Sequence, residues 1–178
     1  MRRNTIMVLV AVACMLGILV GQISAATATP LVPNGVSQLG QLKNLATGRC
    51  LDAPDRALNT NVEMNVCTVN SVEGAGAAET WEFPGVGQSG PIYSYDASLC
   101  VTRSSITSTA KQLVLQSCSS GPAALRTWTI HDLGVTQGKH YAWVGPAGGP
   151  VRMDADYKNA YSNVPNNGNY QKWILNTH

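Results

Sequence analysis

Charged residues are scarce in this chain, and neither sign predominates once its first residues are set aside. Asp, Glu, Lys and Arg make up 12% of the 178 residues, with 12 basic and 10 acidic side chains. Two of the basic residues, Arg2 and Arg3, lie in a segment that we expect to be removed. The remainder has no basic cluster and lacks the positive surface that nucleic-acid binding needs. Nucleic acids are therefore excluded as partners, and anionic membranes are poor ones for the same reason.

The sequence also lacks the motifs of common catalytic and metal sites. Its histidines, His131, His140 and His178, show no metal-pair spacing such as H-E-x-x-H. No G-x-S-x-G elbow or P-loop is present, and no C-x-x-C pair suggests zinc. We therefore expect no catalytic residue, no metal and no cofactor, and we interpret the protein as a non-enzyme.

One long apolar run is present, and it lies at the N-terminus. Two arginines precede an apolar stretch over Ile6–Val20, and small residues follow it. This order is typical of a secretory signal peptide. We predict a leader over residues 1–25, a linker over 26–37 and a secreted domain over 38–178 that does not insert into membranes after cleavage. An uncleaved anchor is the alternative, but the run is short for a spanning helix.

Four cysteines remain outside the leader, an even number that suggests disulfides in an exported chain. Four cysteines allow three pairings. Cys50 and Cys67 are 17 residues apart, and Cys100 and Cys118 are 18 apart. The repeated spacing favours local pairing, Cys50 with Cys67 and Cys100 with Cys118.

No sustained helical periodicity appears after the leader, which leaves short strands as the main elements. Runs such as "QLVLQSC" and "YAWVG" alternate with turn-rich stretches such as "SSGP" and "PNNGN", as in all-β domains. Trp81, Trp128 and Trp173 recur in the phrases "ETWEF", "LRTWTI" and "QKWIL" at intervals of 47 and 45 residues. Such a fixed period indicates three repeated units.

The repeated units resemble the ricin-type lectin domain family. The resemblance rests on "GRCLD" at Gly48–Asp52, a second cysteine, a Gln-x-Trp phrase kept as Gln171–Trp173, and an "LDA"/"MDA" echo at residues 51–53 and 153–155. It implies an all-β fold, a β-trefoil of three pseudo-symmetric four-stranded units over residues 38–178. It also implies that the three repeated tryptophans pack in the shared core.

The family's sugar site indicates which residues to examine in each unit. An Asp after the first cysteine and an Asn before the Gln-x-Trp glutamine hydrogen-bond the hydroxyls, and an aromatic residue two before the second cysteine stacks on the ring. The first unit keeps Asp52 but has Asn65 in the aromatic position. The second unit has Thr102 and Gln116 instead, and we interpret it as structural.

The third unit has no cysteines but carries the best set of candidates. Asp154 matches the family Asp, and Gln171 matches the glutamine. Counting back from Trp173 places Tyr161 in the stacking position, and Asn169 lies beside the position of the assisting Asn. We predict Asp154, Tyr161, Asn169 and Gln171, with Asp52 of the first unit, as carbohydrate-binding residues.

The resemblance implies a secreted module that binds glycans or glycoproteins, with galactose-type sugars expected. The alternative is a degenerate trefoil that binds protein, for example as a toxin-delivery subunit. The loss of family sugar residues from the second unit favours the alternative, and the third unit favours the lectin.

Overall fold

β-Strands are the main regular elements of the described part of the chain. The computed structural model describes residues 37–68, 74–95, 97–105, 110–146 and 149–177, so the predicted leader lies outside the described residues. The strands are β1 (Ser37–Asn44), β2 (Cys50–Asp52), β3 (Glu63–Asn65), β4 (Trp81–Pro84), β5 (Ser89–Gly90), β6 (Tyr93–Ser94), β7 (Leu99–Arg103), β8 (Lys111–Ser117), β9 (Trp128–Thr136), β10 (Lys139–Pro146), β11 (Arg152–Ala155), β12 (Ala160–Asn163) and β13 (Trp173–Thr177). Three short 3₁₀ helices, Gly74–Glu79, Ala123–Leu125 and Asn169–Gln171, each precede a strand that begins with a repeated tryptophan.

The strands divide into the three units that the sequence predicts. The first unit is β1 to β4, the second is β5 to β9 and the third is β10 to β13. The extra strand in the second unit arises because its first strand is interrupted at Pro91, which has no backbone N–H for the ladder. The two halves pair differently, β5 with β9 and β6 with β4 and β7.

The described strands of the three units belong to one 13-stranded sheet. Strand β1 lies between β4 and β13, and the ladder continues through β10 and β9 to β5. The hairpins β2–β3, β7–β8 and β11–β12 lie next to one another. Backbone hydrogen bonds join them, from Met64 to Lys158 (2.9 Å), from Ala160 to Val62 (3.2 Å) and from Val62 to Leu113 (2.9 Å). The candidate sites lie on these hairpins.

The three repeated tryptophans are core residues, as predicted, and each is fully buried. Each indole N–H donates to the backbone carbonyl of the second or third residue of a hairpin strand, at 2.8 to 3.2 Å: Trp81 to Leu51, Trp128 to Val101 and Trp173 to Met153. A buried indole needs a partner for its N–H. The same bond, made three times, fixes each hairpin against the core and confirms the repeat.

Both predicted disulfides are present. Cys50 bonds to Cys67 and Cys100 bonds to Cys118. In the third unit, Arg152 stands where the other units have their first cysteine, and its Nη1 donates to Asn167 Oδ1 at 3.0 Å. A hydrogen bond thus takes the place of the covalent link in the unit that carries the predicted sugar site.

Candidate functional site

The third hairpin, β11–β12, is shorter than its counterparts and ends in a tight turn. The carboxylate of Asp156 accepts hydrogen bonds from the backbone N–H groups of Lys158 and Asn159, both at 2.7 Å. The Asp156 backbone N–H donates to the Asn159 carbonyl at 3.0 Å. This use of an Asp side chain to close a turn is common, and it brings the ends of both strands close together.

Asp154 lies in the middle of β11, beneath the surface, with 2% of its area exposed. Its Oδ1 accepts a hydrogen bond from the Ala155 backbone N–H at 2.8 Å. Its Oδ2 accepts two more, from Asn163 Nδ2 at 3.2 Å and from Gln171 Nε2 at 2.9 Å. Three donors therefore hold this carboxylate, as a buried charge requires.

Gln171 is completely buried, and its side-chain amide donates to the Asp154 carboxylate. Its side-chain amide also donates to the Val164 carbonyl at 2.8 Å, and its oxygen accepts from the Asn166 backbone N–H at 2.9 Å. A residue with no exposed surface cannot contact a sugar. Gln171 is a positioning residue that connects the loop after β12 to Asp154.

A cleft of about 320 Å³ lies on the outer surface beside this network. We call it the third-unit cleft, and its lining residues are Ala110, Lys111, Gln112, Asp156, Asn159, Tyr161 and Asn163. It combines one aromatic ring with amide, carboxylate and ammonium groups. These are the groups that a sugar site needs, because a pyranose offers both an apolar C–H face and hydroxyls.

The charges of the third-unit cleft follow from its hydrogen bonds. Partial burial raises the pKa of Asp156, but the backbone N–H groups of Asn159 and Lys158 lower it more, so the net shift is downward. Asp156 is therefore a carboxylate at neutral pH. Burial raises the pKa of the Tyr161 phenol, with the charges of Asp154 and Asp156 adding to the effect. Tyr161 consequently stays protonated and can donate a hydrogen bond.

The strand register corrects the expected alignment of Tyr161. In each hairpin, one residue of the second strand pairs with the first-cysteine position of the first strand. Asn65 pairs with Cys50, Gln116 with Cys100 and Asn163 with Arg152. Tyr161 faces Asp154 instead, so Asn163, rather than Tyr161, is the counterpart of the residue two before the second cysteine. Counting back from Trp173 was wrong by two residues because the segment before the tryptophan is shorter in the third unit: Asn163 lies 10 residues before Trp173, whereas Gln116 lies 12 residues before Trp128.

The other predicted residue of the third unit, Asn169, does not line the cleft. It begins the 3₁₀ helix Asn169–Gln171, is exposed, and its Oδ1 accepts from Lys172 Nζ at 3.1 Å. The structure therefore brings Asp154, Tyr161 and Gln171 together and leaves Asn169 outside the group. Asp156, Asn159 and Asn163 were not predicted as site residues, although the spacing of Asp156 and Asn159 is a turn signal that could have indicated the first two.

In the first unit, the carboxylate of Asp52 is 6% exposed and accepts from Asn65 Nδ2. Its Oδ1 is buried and has no hydrogen-bond partner in the described part of the chain. Glu79 occupies the position that Gln171 has in the third unit, and its Oε2 accepts from Gln41 Nε2 and from the Thr68 backbone N–H. Burial raises the pKa of Glu79; the hydrogen bonds from Thr68 oppose this, and the charge of Asp52 adds to it.

The second unit has a different chemistry at the same positions. The Thr102 hydroxyl donates to the Cys100 carbonyl at 3.1 Å, and no carboxylate stands there. Arg126 occupies the glutamine position and donates to the carbonyls of Ser120 and Gly121 at 2.7 and 2.8 Å. This unit cannot reproduce the Asp–amide pair of the third unit.

His131 and Asp132 are neighbours in sequence, but their side chains have different partners. His131 stacks on Trp143 with ring centroids 3.4 Å apart, whereas Asp132 pairs with His140 at 2.8 Å on the surface. No group of three or more His, Cys, Asp or Glu residues that could hold a metal ion occurs within the described ranges. None of the helices in that same part of the chain combines the length and the apolar character needed to cross a membrane.

A family model and the solved structures give the same classification. The model of the "Ricin-type beta-trefoil lectin domain" matches residues 38–144, which contain the first two units and most of β10. The third-unit cleft lies mostly beyond that match. No curated protein sequence matches the chain.

Several solved structures share the fold at low sequence identity. ThreeFoil, a designed three-fold symmetric protein, has a TM-score of 0.62 at 18% identity, over 78% of this chain and 97% of its own. A ricin B-like lectin from Macrolepiota procera, in complex with lactose, has a TM-score of 0.59 at 13% identity, over 78% and 94%. The hemolytic lectin CEL-III has a TM-score of 0.57 at 14% identity, over 78% of this chain but only 32% of its own. These likenesses show the fold, a β-trefoil.

Proposed function

Since the chain belongs to the ricin-type beta-trefoil lectin domain family, we propose that it binds a sugar in the third-unit cleft. Membership of the family supports carbohydrate binding in general. Our proposal is more specific: the sugar is of the galactose type, the protein acts after secretion and removal of residues 1–25, and it does not catalyse a reaction.

The observation that carries the proposal is the arrangement of Tyr161, Asn163 and Asp156 around one cleft. The Tyr161 ring can cover the apolar face of a pyranose. The Asn163 amide and the Asp156 carboxylate lie on the same rim and can hydrogen-bond neighbouring hydroxyls. Below them, Asp154 fixes Asn163, and Gln171 fixes Asp154. The polar rim is therefore held in place before any ligand arrives, which reduces the ordering cost of binding.

The test compares glycan binding by the mature protein with that of a variant that lacks the Tyr161 ring. The similar lectin from Macrolepiota procera is in complex with lactose, so a lactose-coated surface is the first ligand to use, followed by an array of other glycans. A shallow single-sugar site binds weakly, and a multivalent surface amplifies small differences. Tyr161→Ala should weaken binding about tenfold or more, since an aromatic contact and a hydrogen bond are together worth about 1.5–3 kcal/mol.

Tyr157 provides the matched control, because it lies on the turn of the same hairpin, is 60% exposed and does not line the cleft. Tyr157→Ala should bind lactose as the unmodified protein does. Absence of binding to every glycan on the array would overturn the proposal. An equal loss of lactose affinity in the two variants would show that Tyr161 does not contribute to the site.

A second candidate function is protein binding by a degenerate trefoil. The observation in its favour is the loss of the sugar chemistry from the second unit, where Thr102 and Gln116 replace the Asp and the aromatic residue of the family. A protein that binds no glycan but is captured on a defined protein receptor would support this candidate.

A further inference from the structure

The loop that follows β12 contacts the residues that support the third-unit cleft. In this loop, the Asn166 backbone N–H donates to Gln171 Oε1 at 2.9 Å, and the Val164 carbonyl accepts from Gln171 Nε2 at 2.8 Å. Gln171 in turn donates to Asp154, which accepts from Asn163 on the rim of the cleft. The position of the rim therefore depends on how firmly this loop is held.

The first unit makes the same contact at the equivalent position. Glu79 precedes the tryptophan of its unit by two residues, as Gln171 does in the third unit. The Thr68 backbone N–H donates to Glu79 Oε2 at 2.8 Å. Thr68 is therefore the counterpart of Asn166.

A disulfide holds the loop in the first unit but not in the third. Cys67 directly precedes the first-unit contact, and its bond to Cys50 ties the loop to the start of β2. Pro165 directly precedes the third-unit contact, and Arg152 begins β11 where Cys50 begins β2. The third unit must therefore hold its loop by other means.

Arg152 makes two contacts that connect this loop to β10. Its Nη1 donates to Asn167 Oδ1 at 3.0 Å, and Asn167 lies next to Asn166 in the loop. Its Cζ lies 4.2 Å from the centroid of the Trp143 ring on β10. The guanidinium thus joins the loop to an aromatic ring through a charge-assisted hydrogen bond and a cation–π contact.

The Trp143 ring is itself held in place. The imidazole of His131, its cross-strand neighbour on β9, stacks on it with ring centroids 3.4 Å apart. A Cβ at Gly145 would lie 2.9 Å from Trp143 Cζ3, so the ring rests against a residue without a side chain. Arginine stacks well on aromatic faces, and a ring that is already fixed lowers the ordering cost of that contact.

We propose that Arg152 is a positioning residue for the sugar site and replaces, without a covalent bond, the disulfide of the other two units. Arg152 does not line the third-unit cleft, and it acts on Gln171 through Asn167 and the loop. The inference rests on the function proposed for this cleft. The contact between Asn166 and Gln171 can, however, be measured without a ligand.

Arg152→Met in the mature protein removes the hydrogen bond and keeps an apolar side chain against Trp143. Hydrogen exchange of the Asn166 backbone N–H, followed by NMR, should become at least tenfold faster, because the loop loses a bond from a charged donor. The Thr68 N–H is the internal control and should exchange as in the unmodified protein. A substitution that only lowers the stability of the whole fold would accelerate both.

Lactose binding by Arg152→Met should weaken about fivefold, since the rim is no longer ordered before the ligand arrives. Arg49→Met is the matched control. Arg49 is a half-buried arginine beside the first cysteine of the first unit, and it donates to the Met64 carbonyl at 3.2 Å. Its replacement should leave lactose binding unchanged.

A disulfide in the third unit should make the arginine unnecessary. Arg152→Cys combined with Pro165→Cys places cysteines at both positions, and peptide mapping without reduction would show the bridge. The bridged variant should bind lactose as the unmodified protein does, and its Asn166 N–H should exchange as slowly.

The proposal would be overturned by unchanged Asn166 exchange in a folded Arg152→Met, by equal acceleration at Asn166 and Thr68, or by undiminished lactose binding in that variant. Failure of the bridge to form, or weak lactose binding by the bridged variant, would also contradict it. If Arg152→Met does not fold, the bridged variant decides. If the unmodified protein binds no glycan, the function proposed for the cleft is wrong, and Asn166 exchange still shows whether Arg152 holds Gln171.

Discussion

Gln171 donates a hydrogen bond from its side-chain amide to the Asp154 carboxylate at 2.9 Å. In the first unit the corresponding pair is Glu79 and Asp52, two acids. A carboxylate cannot donate, so this pair can form the equivalent bond only when one partner holds a proton. Among the described residues, Asp52 Oδ2 accepts from Asn65 alone, whereas Asp154 Oδ2 accepts from both Asn163 and Gln171. The repeat thus contains one neutral–acid pair and one acid–acid pair at equivalent positions.

Glu79→Gln should stabilise the protein at neutral pH. The new amide can donate to Asp52 Oδ2, as Gln171 does to Asp154 Oδ2, while its oxygen keeps accepting from Gln41 and Thr68. A hydrogen bond of this kind is worth about 1 kcal/mol, and the repulsion between two acids is also removed. Urea unfolding at pH 7 measures the gain.

The stability gained through Glu79→Gln should increase as the pH rises. Burial raises the pKa of Glu79 above its ordinary value of 4.5, so the folded state holds this proton more tightly than the unfolded state. That contribution to stability is complete below pH 4.5 and is lost as the pH rises through the folded pKa. The advantage of Glu79→Gln should therefore be small below pH 4.5 and grow towards neutral pH. Glu82→Gln, three residues on and half-buried, is the control, and an equal gain at every pH would contradict the assignment.

Trp128 should tolerate replacement poorly, and two substitutions separate its contributions. Trp128→Ala deletes a fully buried indole, which typically costs about 3–5 kcal/mol. Trp128→Phe keeps an aromatic ring but leaves the Val101 carbonyl without its donor at 2.8 Å, so it should cost less. Thermal unfolding of both variants provides the measurement. Unchanged stability in Trp128→Ala would conflict with the buried position.

The disulfide of the second unit should contribute measurably to stability. The Cys100→Ser, Cys118→Ser double variant opens a loop of 18 residues, and closing such a loop is worth about 3 kcal/mol in the chain-entropy model. Denaturant unfolding of the oxidised protein and of the variant gives the difference. Peptide mapping without reduction should show Cys50 linked to Cys67 and Cys100 linked to Cys118, and a link between units would contradict both bridges.

The features that repeat were predictable from the sequence. The tryptophans recur at nearly constant spacing because each makes the same hydrogen bond in the core of its unit. The cysteine pairs recur because each closes the same hairpin in two of the units. An alignment of the chain with itself therefore finds them. The interruption at Pro91 was not predicted, although the missing N–H of proline explains it once the ladder is known.

The site was predictable only where its spacing is conserved between units. Asp154 and Gln171 were identified because they stand beside Met153 and Trp173, whose positions the core fixes. Asn163 was misaligned by two residues because loop lengths outside the core are free to change.

The last prediction separates the two acids of the third hairpin by their effects on affinity and on stability. Asp156→Asn keeps an oxygen that can accept from Lys158 and Asn159, so the turn and the melting temperature should be nearly unchanged. It removes the negative charge from the third-unit cleft, however. A charge-assisted hydrogen bond exceeds a neutral one by about 1 kcal/mol, so lactose binding should weaken about fivefold.

Asp154→Asn, in contrast, should lower the stability of the fold. The new Nδ2 would face the amide donors of Asn163 and Gln171 in a buried place, and donors facing donors leave hydrogen bonds unmade, at a cost of about 1–3 kcal/mol. The melting temperature should fall, and lactose binding should weaken through displacement of Asn163. If Asp154→Asn instead abolished binding at an unchanged melting temperature, while Asp156→Asn bound normally, Asp154 would contact the sugar itself. The role of Asp156 in the proposed site would then be wrong.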